Sequence, residues 1–88
     1  MVQKEQTVLI TGASRGIGAA TALAAARQGY DVVVNYARDQ AAAQQVVDSI
    51  AQLGRRAVAV QGDVGQADDI ARLFTEAETA LGPISALV

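Results

Sequence analysis

The chain has 88 residues, of which 51% are apolar and 18% charged, with a formal net charge of −2. This composition, with a mean hydropathy of +0.22, is that of one packed domain or a piece of one, and it excludes a disordered tail. The slightly acidic balance argues against a nucleic-acid partner. The lack of cysteine and histidine excludes disulfides, thiolate chemistry, imidazole zinc sites and Ser-His-Asp triads within these residues.

The opening MVQKEQ is polar and lacks the apolar core of a signal peptide. No apolar run approaches the roughly 20 residues of a membrane span, so the expectation is a cytoplasmic protein away from membranes. The first β-branched run is Thr7 to Thr11, and a helical pattern extends from about Ile17 to Gln28. That helix is apolar nearly all round, which predicts deep packing. A second run, Val32 to Tyr36, follows Tyr30, which is expected to pack at the junction before the strand. The second helix is predicted from about Gln40 to Leu53, capped by Asp39, with Ala43, Val46, Val47, Ile50 and Leu53 on its inner face. A third run covers Ala57 to Gln61. A third helix runs from about Gln66 to Leu81 with Ile70, Leu73, Phe74, Ala77 and Leu81 as its stripe, and Gly82 and Pro83 end it. The last run is Ile84 to Val88. Asp48, Glu76 and Glu78 fall on outer helix faces and read as solvated surface.

The order β-α-β-α-β-α-β predicts an α/β fold with a parallel sheet built from βαβ crossovers. Nearly continuous apolar centres in the first two runs suit strands buried on both faces. The doubly wound arrangement puts the strands in the order 3-2-1-4.

Between the first strand and the first helix lies Thr11-Gly12-Ala13-Ser14-Arg15-Gly16-Ile17-Gly18. Gly12 can take the sharp turn, Gly16 lets a ligand approach the backbone, and Gly18 allows the helix to pack tightly against the strand. Exposed N–H groups at a helix start form an anion site suited to a phosphate or pyrophosphate. A bare strand-to-helix turn would use the same glycines, but the placement inside a βαβ unit favours the ligand. Ser14 could bind a phosphate or cap the helix, and Thr11 could tie down the loop.

These residues resemble the TGxxxGxG cofactor motif of the short-chain dehydrogenase/reductase family. Asn35-Tyr36-Ala37-Arg38 is similar to the second-strand end of its NADPH-using members, such as 3-oxoacyl-carrier-protein reductases and naphthol reductases. Gly62-Asp63-Val64 resembles the acidic turn after the third strand. Leu81 to Val88 resembles the stretch leading into the family's Asn-Asn-Ala-Gly motif. The resemblance implies a Rossmann domain of which residues 1–88 are the N-terminal part, a nicotinamide cofactor, and a parent protein that forms a homo-oligomer, dimer or tetramer.

NAD-binding Rossmann sites place an acid at the end of the second strand, and NADP sites replace it with arginine. Asn35, Tyr36 and Ala37 are not acidic. Arg15 and Arg38 could converge on a 2′-phosphate, for which the guanidinium fork is suited. NADP(H) is therefore expected, ahead of NAD(H), although Arg38 could also be a solvated loop charge. By resemblance, Asp63 accepts from the adenine amino group and the Val64 backbone reads the ring. The alternative for Asp63 is a turn aspartate bonding its own backbone. Ile17 joins the cofactor-binding set through its place in the motif.

The resemblance implies hydride transfer between the cofactor and a carbonyl or alcohol substrate. The family performs it with Asn, Ser, Tyr and Lys, none of which is matched here. Neither Tyr30 nor Tyr36 is followed four residues later by lysine, and Lys4, the only lysine, is at the wrong end. A bare apolar last strand leads to the expectation of a longer parent. A non-catalytic NADP-binding sensor and an inactive truncated product are the alternatives to an NADP(H)-dependent oxidoreductase.

Overall fold

A computed structural model describes residues 6–88. Lys4 and most of the MVQKEQ opening lie outside the described residues. The elements in chain order are β1 (Gln6–Ile10), α1 (Gly16–Arg27), β2 (Tyr30–Tyr36), α2 (Gln40–Gln52), β3 (Ala57–Gln61), α3 (Ala67–Leu81) and β4 (Ala86–Leu87). They form one sheet in the order β3-β2-β1-β4, with every pairing parallel.

The apolar runs form central strands because both faces of the sheet are covered. Val8, Ile10, Val32 and Val34 point to one face and pack with Ala22 and Ala26 of α1 and with Ala43, Val46 and Ile50 of α2. Leu9, Val33 and Val60 point to the other face, against Leu73 and Ala77 of α3. Alternate residues of one strand thus enter different cores, so the centres of β1 and β2 are apolar at successive positions. β1 pairs with β2 from Gln6↔Tyr30 to Ile10↔Val34, and β2 pairs with β3 from Val32↔Ala57 to Tyr36↔Gln61.

Four expectations are corrected. Tyr30 does not precede the second strand but opens it, opposite Gln6. α1 is not buried all round: only Ala22 and Ala26 are fully covered, and Ile17 is 87% exposed. A helix lying on one sheet face needs only one covered side. Leu53 is not on the inner face of α2 but at its C-cap, 43% exposed, where the chain turns away through Gly54. The last strand is shorter than Ile84 to Val88, although its ladder continues outside it: Ser85 N donates to Thr7 O (2.8 Å), Val88 N to Leu9 O (2.9 Å) and Thr11 N to Val88 O (3.0 Å).

The parallel strands aim their carboxyl ends at one edge, so the loops after β1, β2 and β3 gather there. Beyond β1 the strand order reverses, with β2 and β3 on one side and β4 on the other. In open α/β sheets that switch point is where ligands bind.

Candidate functional site

The loop after β1 turns through Gly12 and Gly16, whose φ values of 58° and 62° lie in the left-handed region. At both positions a side chain would carry strain. An added Cβ on either would meet nothing within 4 Å, so the space above both is open. Gly18 differs. A Cβ there would stand 2.1 Å from Gly12 O and 3.0 Å from Ala13 Cα. The tight approach is therefore between α1 and the glycine loop itself, and not, as the sequence reading had it, between helix and strand.

The N-cap of α1 is Arg15, which makes no side-chain cap, and the first turn holds no acidic residue. The bond from Ala19 N to Arg15 O (3.3 Å) begins the helix. The amides of Gly16, Ile17 and Gly18 are thus the unsatisfied donors that any helix start leaves, and they carry its positive end of the dipole. Ser14 does not cap α1: its hydroxyl makes no hydrogen bond to the described residues. Thr11 Oγ1 donates to Val88 O (3.1 Å), which ties the end of β1 to β4 and not to the glycine loop.

Asn35 holds the loop from below. Its side chain is buried, Oδ1 accepts from Gly12 N (3.1 Å), and Nδ2 donates to Val60 O (3.3 Å) and Gly62 O (3.1 Å). Its backbone O also accepts from Ala13 N (2.8 Å). One amide thereby fixes the loops after β1 and β3 relative to each other. Tyr36 is buried beside it, with its O accepting from Gly62 N (2.9 Å).

On the rim, Arg15 pairs with Asp39, their side chains 74% and 38% exposed. Asp39 also caps α2 as expected, its Oδ1 accepting from Ala42 N (2.9 Å). Arg38 is exposed next to it in the chain. After β3, Asp63 is exposed and makes the turn expected of an aspartate there: Oδ1 accepts from Gly65 N (2.8 Å), and Asp63 N donates to Asp69 Oδ2 (2.9 Å). Its Oδ2 has no hydrogen bond among the described residues. Val64 is exposed alongside.

The candidates thus collect at one edge of the sheet, with Asn35 and Tyr36 beneath and the others open to solvent. The pairing of Arg15 with Asp39 was not read from the sequence, where Asp39 appears only as a cap. Opposite charges on adjoining loops were the available signal.

A second cluster was missed entirely. At the amino end of β2, Asp31 is 1% exposed and accepts from Arg55 Nη2 (2.9 Å), Arg56 N (3.1 Å) and Arg56 Nε (3.0 Å), with Arg56 Nη2 at 2.8 Å. Burial alone raises the carboxyl pKa, but the hydrogen bonds from Arg56 and the charges of both arginines outweigh it and hold it below the ordinary value. This cluster lies at the opposite end of the strand from the glycine loop. Among the described residues no helix is long and apolar enough to cross a membrane.

The sequence profile of the family described as short chain dehydrogenase matches residues 6–88. The hydroxynaphthalene reductase-like protein Arp2 of Metarhizium robertsii is 45% identical over 83 residues, covering 94% of this chain and 31% of that protein. An acetoin dehydrogenase from Salmonella typhimurium has a similar structure (TM-score 0.88, 28% identity, 96% of this chain and 35% of that one). So does a hydroxysteroid dehydrogenase from Escherichia coli (TM-score 0.86, 36% identity, 93% and 34%). The chain spans about a third of the length of these relatives. With the fold, the glycine loop and the match over residues 6–88 in agreement, the chain belongs to the short chain dehydrogenase family.

Proposed function

We propose that the protein carrying this chain is an NADP(H)-dependent oxidoreductase that transfers hydride between the nicotinamide and a carbonyl or alcohol substrate, with residues 1–88 supplying the adenine side of the cofactor site. The observation that carries this reading is an uncapped α1 N-terminus beside Arg15, with no acid at the carboxyl end of β2. The glycine loop fits a pyrophosphate: free donors at Gly16, Ile17 and Gly18, and open space over Gly12 and Gly16. The Ser14 hydroxyl is available to the same phosphates. Arg15 and Arg38 bind the 2′-phosphate. Asp63 Oδ2 accepts from the adenine amino group, and the Val64 backbone meets the ring. Asn35 and Tyr36 work from beneath, by fixing the loops that make these contacts.

The bound nicotinamide supplies the hydride chemistry. The substrate is a small molecule, and reduction of a ketone or aldehyde is the direction expected of an NADPH enzyme. The reductase name of the Metarhizium relative supports this direction. The whole protein is a cytoplasmic homo-oligomer, dimer or tetramer, as is general for the family.

The test is Arg15→Ala combined with Arg38→Ala, read by NADPH and NADH titration. A charge-assisted hydrogen bond contributes about 1.5–3 kcal/mol, so the NADPH Kd should rise by about 10²-fold or more while the NADH Kd stays within about threefold. Equal losses for both cofactors would refute the phosphate assignment. A carbonyl-substrate screen of the full protein with NADPH tests turnover separately.

A further inference from the structure

We propose that Asn35 is a positioning residue that couples two halves of the nucleotide site, so that a pyrophosphate on the glycine loop and an adenine on the loop after β3 bind cooperatively. The proposal rests on the assignment of those two loops to the cofactor. β2 lies between β1 and β3 in the sheet, so its carboxyl end reaches both loops. The main chain ties each loop there separately: Ala13 N donates to Asn35 O (2.8 Å), and Gly62 N donates to Tyr36 O (2.9 Å).

The Asn35 carboxamide joins the two ties. Its Oδ1 accepts from Gly12 N (3.1 Å), at the turn of the glycine loop. Its Nδ2 donates to Val60 O (3.3 Å) and to Gly62 O (3.1 Å), and Gly62 directly precedes Asp63 and Val64. Turned over, the amide would aim its NH2 at the Gly12 N–H and its oxygen at two carbonyls, so it has one workable orientation. The residue is 2% exposed, and a mismatch there carries the full desolvation penalty. A shift of Gly12 therefore drags the carboxamide off Gly62 O, and a shift of Gly62 drags it off Gly12 N. A ligand that orders one loop sets the amide in the orientation that the other loop needs. It thereby lowers the ordering cost for the second ligand.

The full-length protein is titrated with inorganic pyrophosphate, with and without adenine, well above the carboxylate range of pH. Adenine should tighten pyrophosphate by about 5-fold or more, and pyrophosphate should tighten adenine by the same factor. Asn35→Asp keeps an acceptor for Gly12 N and loses the donors to Val60 O and Gly62 O. Asn35→Leu, of similar volume, removes the whole link. The factor should fall to about 1 in both variants. A purely structural Asn35 would lower the thermal midpoint of both variants and leave the factor unchanged. Hydrogen exchange in the wild type needs no variant: adenine alone should slow exchange at the Gly12 N–H, and pyrophosphate alone at the Gly62 N–H. A factor that survives both substitutions, or a wild type without this cross-protection, overturns the proposal. If adenine and pyrophosphate bind the wild type independently, only the coupling fails and the cofactor reading stands. If neither binds, that reading fails and the coupling fails with it.

Discussion

Asn35 and Asp31 stand four positions apart on β2, and both are buried polar residues whose polar atoms go to the chain itself. A central strand tolerates such residues only when every polar atom is matched, because an unmatched buried group costs its full desolvation penalty. Asn35 meets that condition with one acceptor and two donor bonds, and so serves the glycine loop at the carboxyl end. Asp31 meets it with two arginines at the amino end. Its carboxyl pKa is lowered in the folded protein, so folding favours the ionised form. The stability this contributes is present above the unfolded-state pKa and is lost as pH falls through the folded one. Asp31→Ala should therefore cost about 3 kcal/mol near neutral pH. In urea denaturation, the difference from wild type should shrink as the pH drops below the carboxylate range. A pH-independent difference would mean that packing, and not charge, sets the cost. Nucleotide affinity of the folded variant should stay unchanged, because the cluster sits at the far end of the strand from the loop.

At the scale of elements, the junction of β1 and α1 is set by how close a helix can come to its own preceding loop. Gly18 decides that distance, with Gly12 O where its side chain would be. Gly18→Ala cannot be absorbed by a side-chain rotation, since the obstacle is backbone. It should cost about 1–3 kcal/mol of stability and weaken nucleotide binding, because relieving the clash shifts the α1 amides relative to the loop. Chemical denaturation and 2′,5′-ADP titration read the two effects. Wild-type stability in this variant would show that the loop is freer than the contact implies. Much of this architecture was legible in the sequence, because continuous apolar runs such as Val32, Val33 and Val34 make sense only in a sheet covered on both faces, and glycine placement marks the turns. What was not legible depended on residues far apart in the chain. Asp39 reads as a cap from its position before Gln40, but its hold on Arg15 exists only because the loops after β1 and β2 meet at one edge. Arg55 and Arg56 are adjacent in sequence, and nothing local names their partner until the start of β3 is laid beside Asp31. The exposure of Ile17 and Leu53 was hidden because an apolar residue near a helix end looks the same in sequence whether or not a neighbour covers it.

At the scale of the whole molecule, the sheet is unequal at its two edges. β3 closes one edge with Arg72 and Glu76 of α3 beside it, lining a depression of about 380 Å³. Those two residues pair with each other at 2.9 Å, so this border is charged. At the other edge, among the described residues, β4 pairs with β1 alone, and Leu87 and Val88 are 59% and 61% exposed. The hollow beside it, about 280 Å³, is lined by Phe74, Glu78, Ile84, Ser85, Ala86 and Leu87. An apolar strand edge with unpaired backbone groups is a template for another strand. The chain also spans about a third of the length of its relatives. The segment expressed alone should therefore self-associate through the β4 edge, with sedimentation coefficients that rise with concentration and binding of a hydrophobic dye. Replacing Leu87 with lysine should suppress both by placing a charge on the bare edge. The same substitution at the β3 edge, at exposed Gln61, should not, because that border is already charged. A segment that stays monomeric at high concentration, or whose association Leu87→Lys leaves untouched, would remove β4 as the adhesive edge and shift attention to the exposed alanine face of α1.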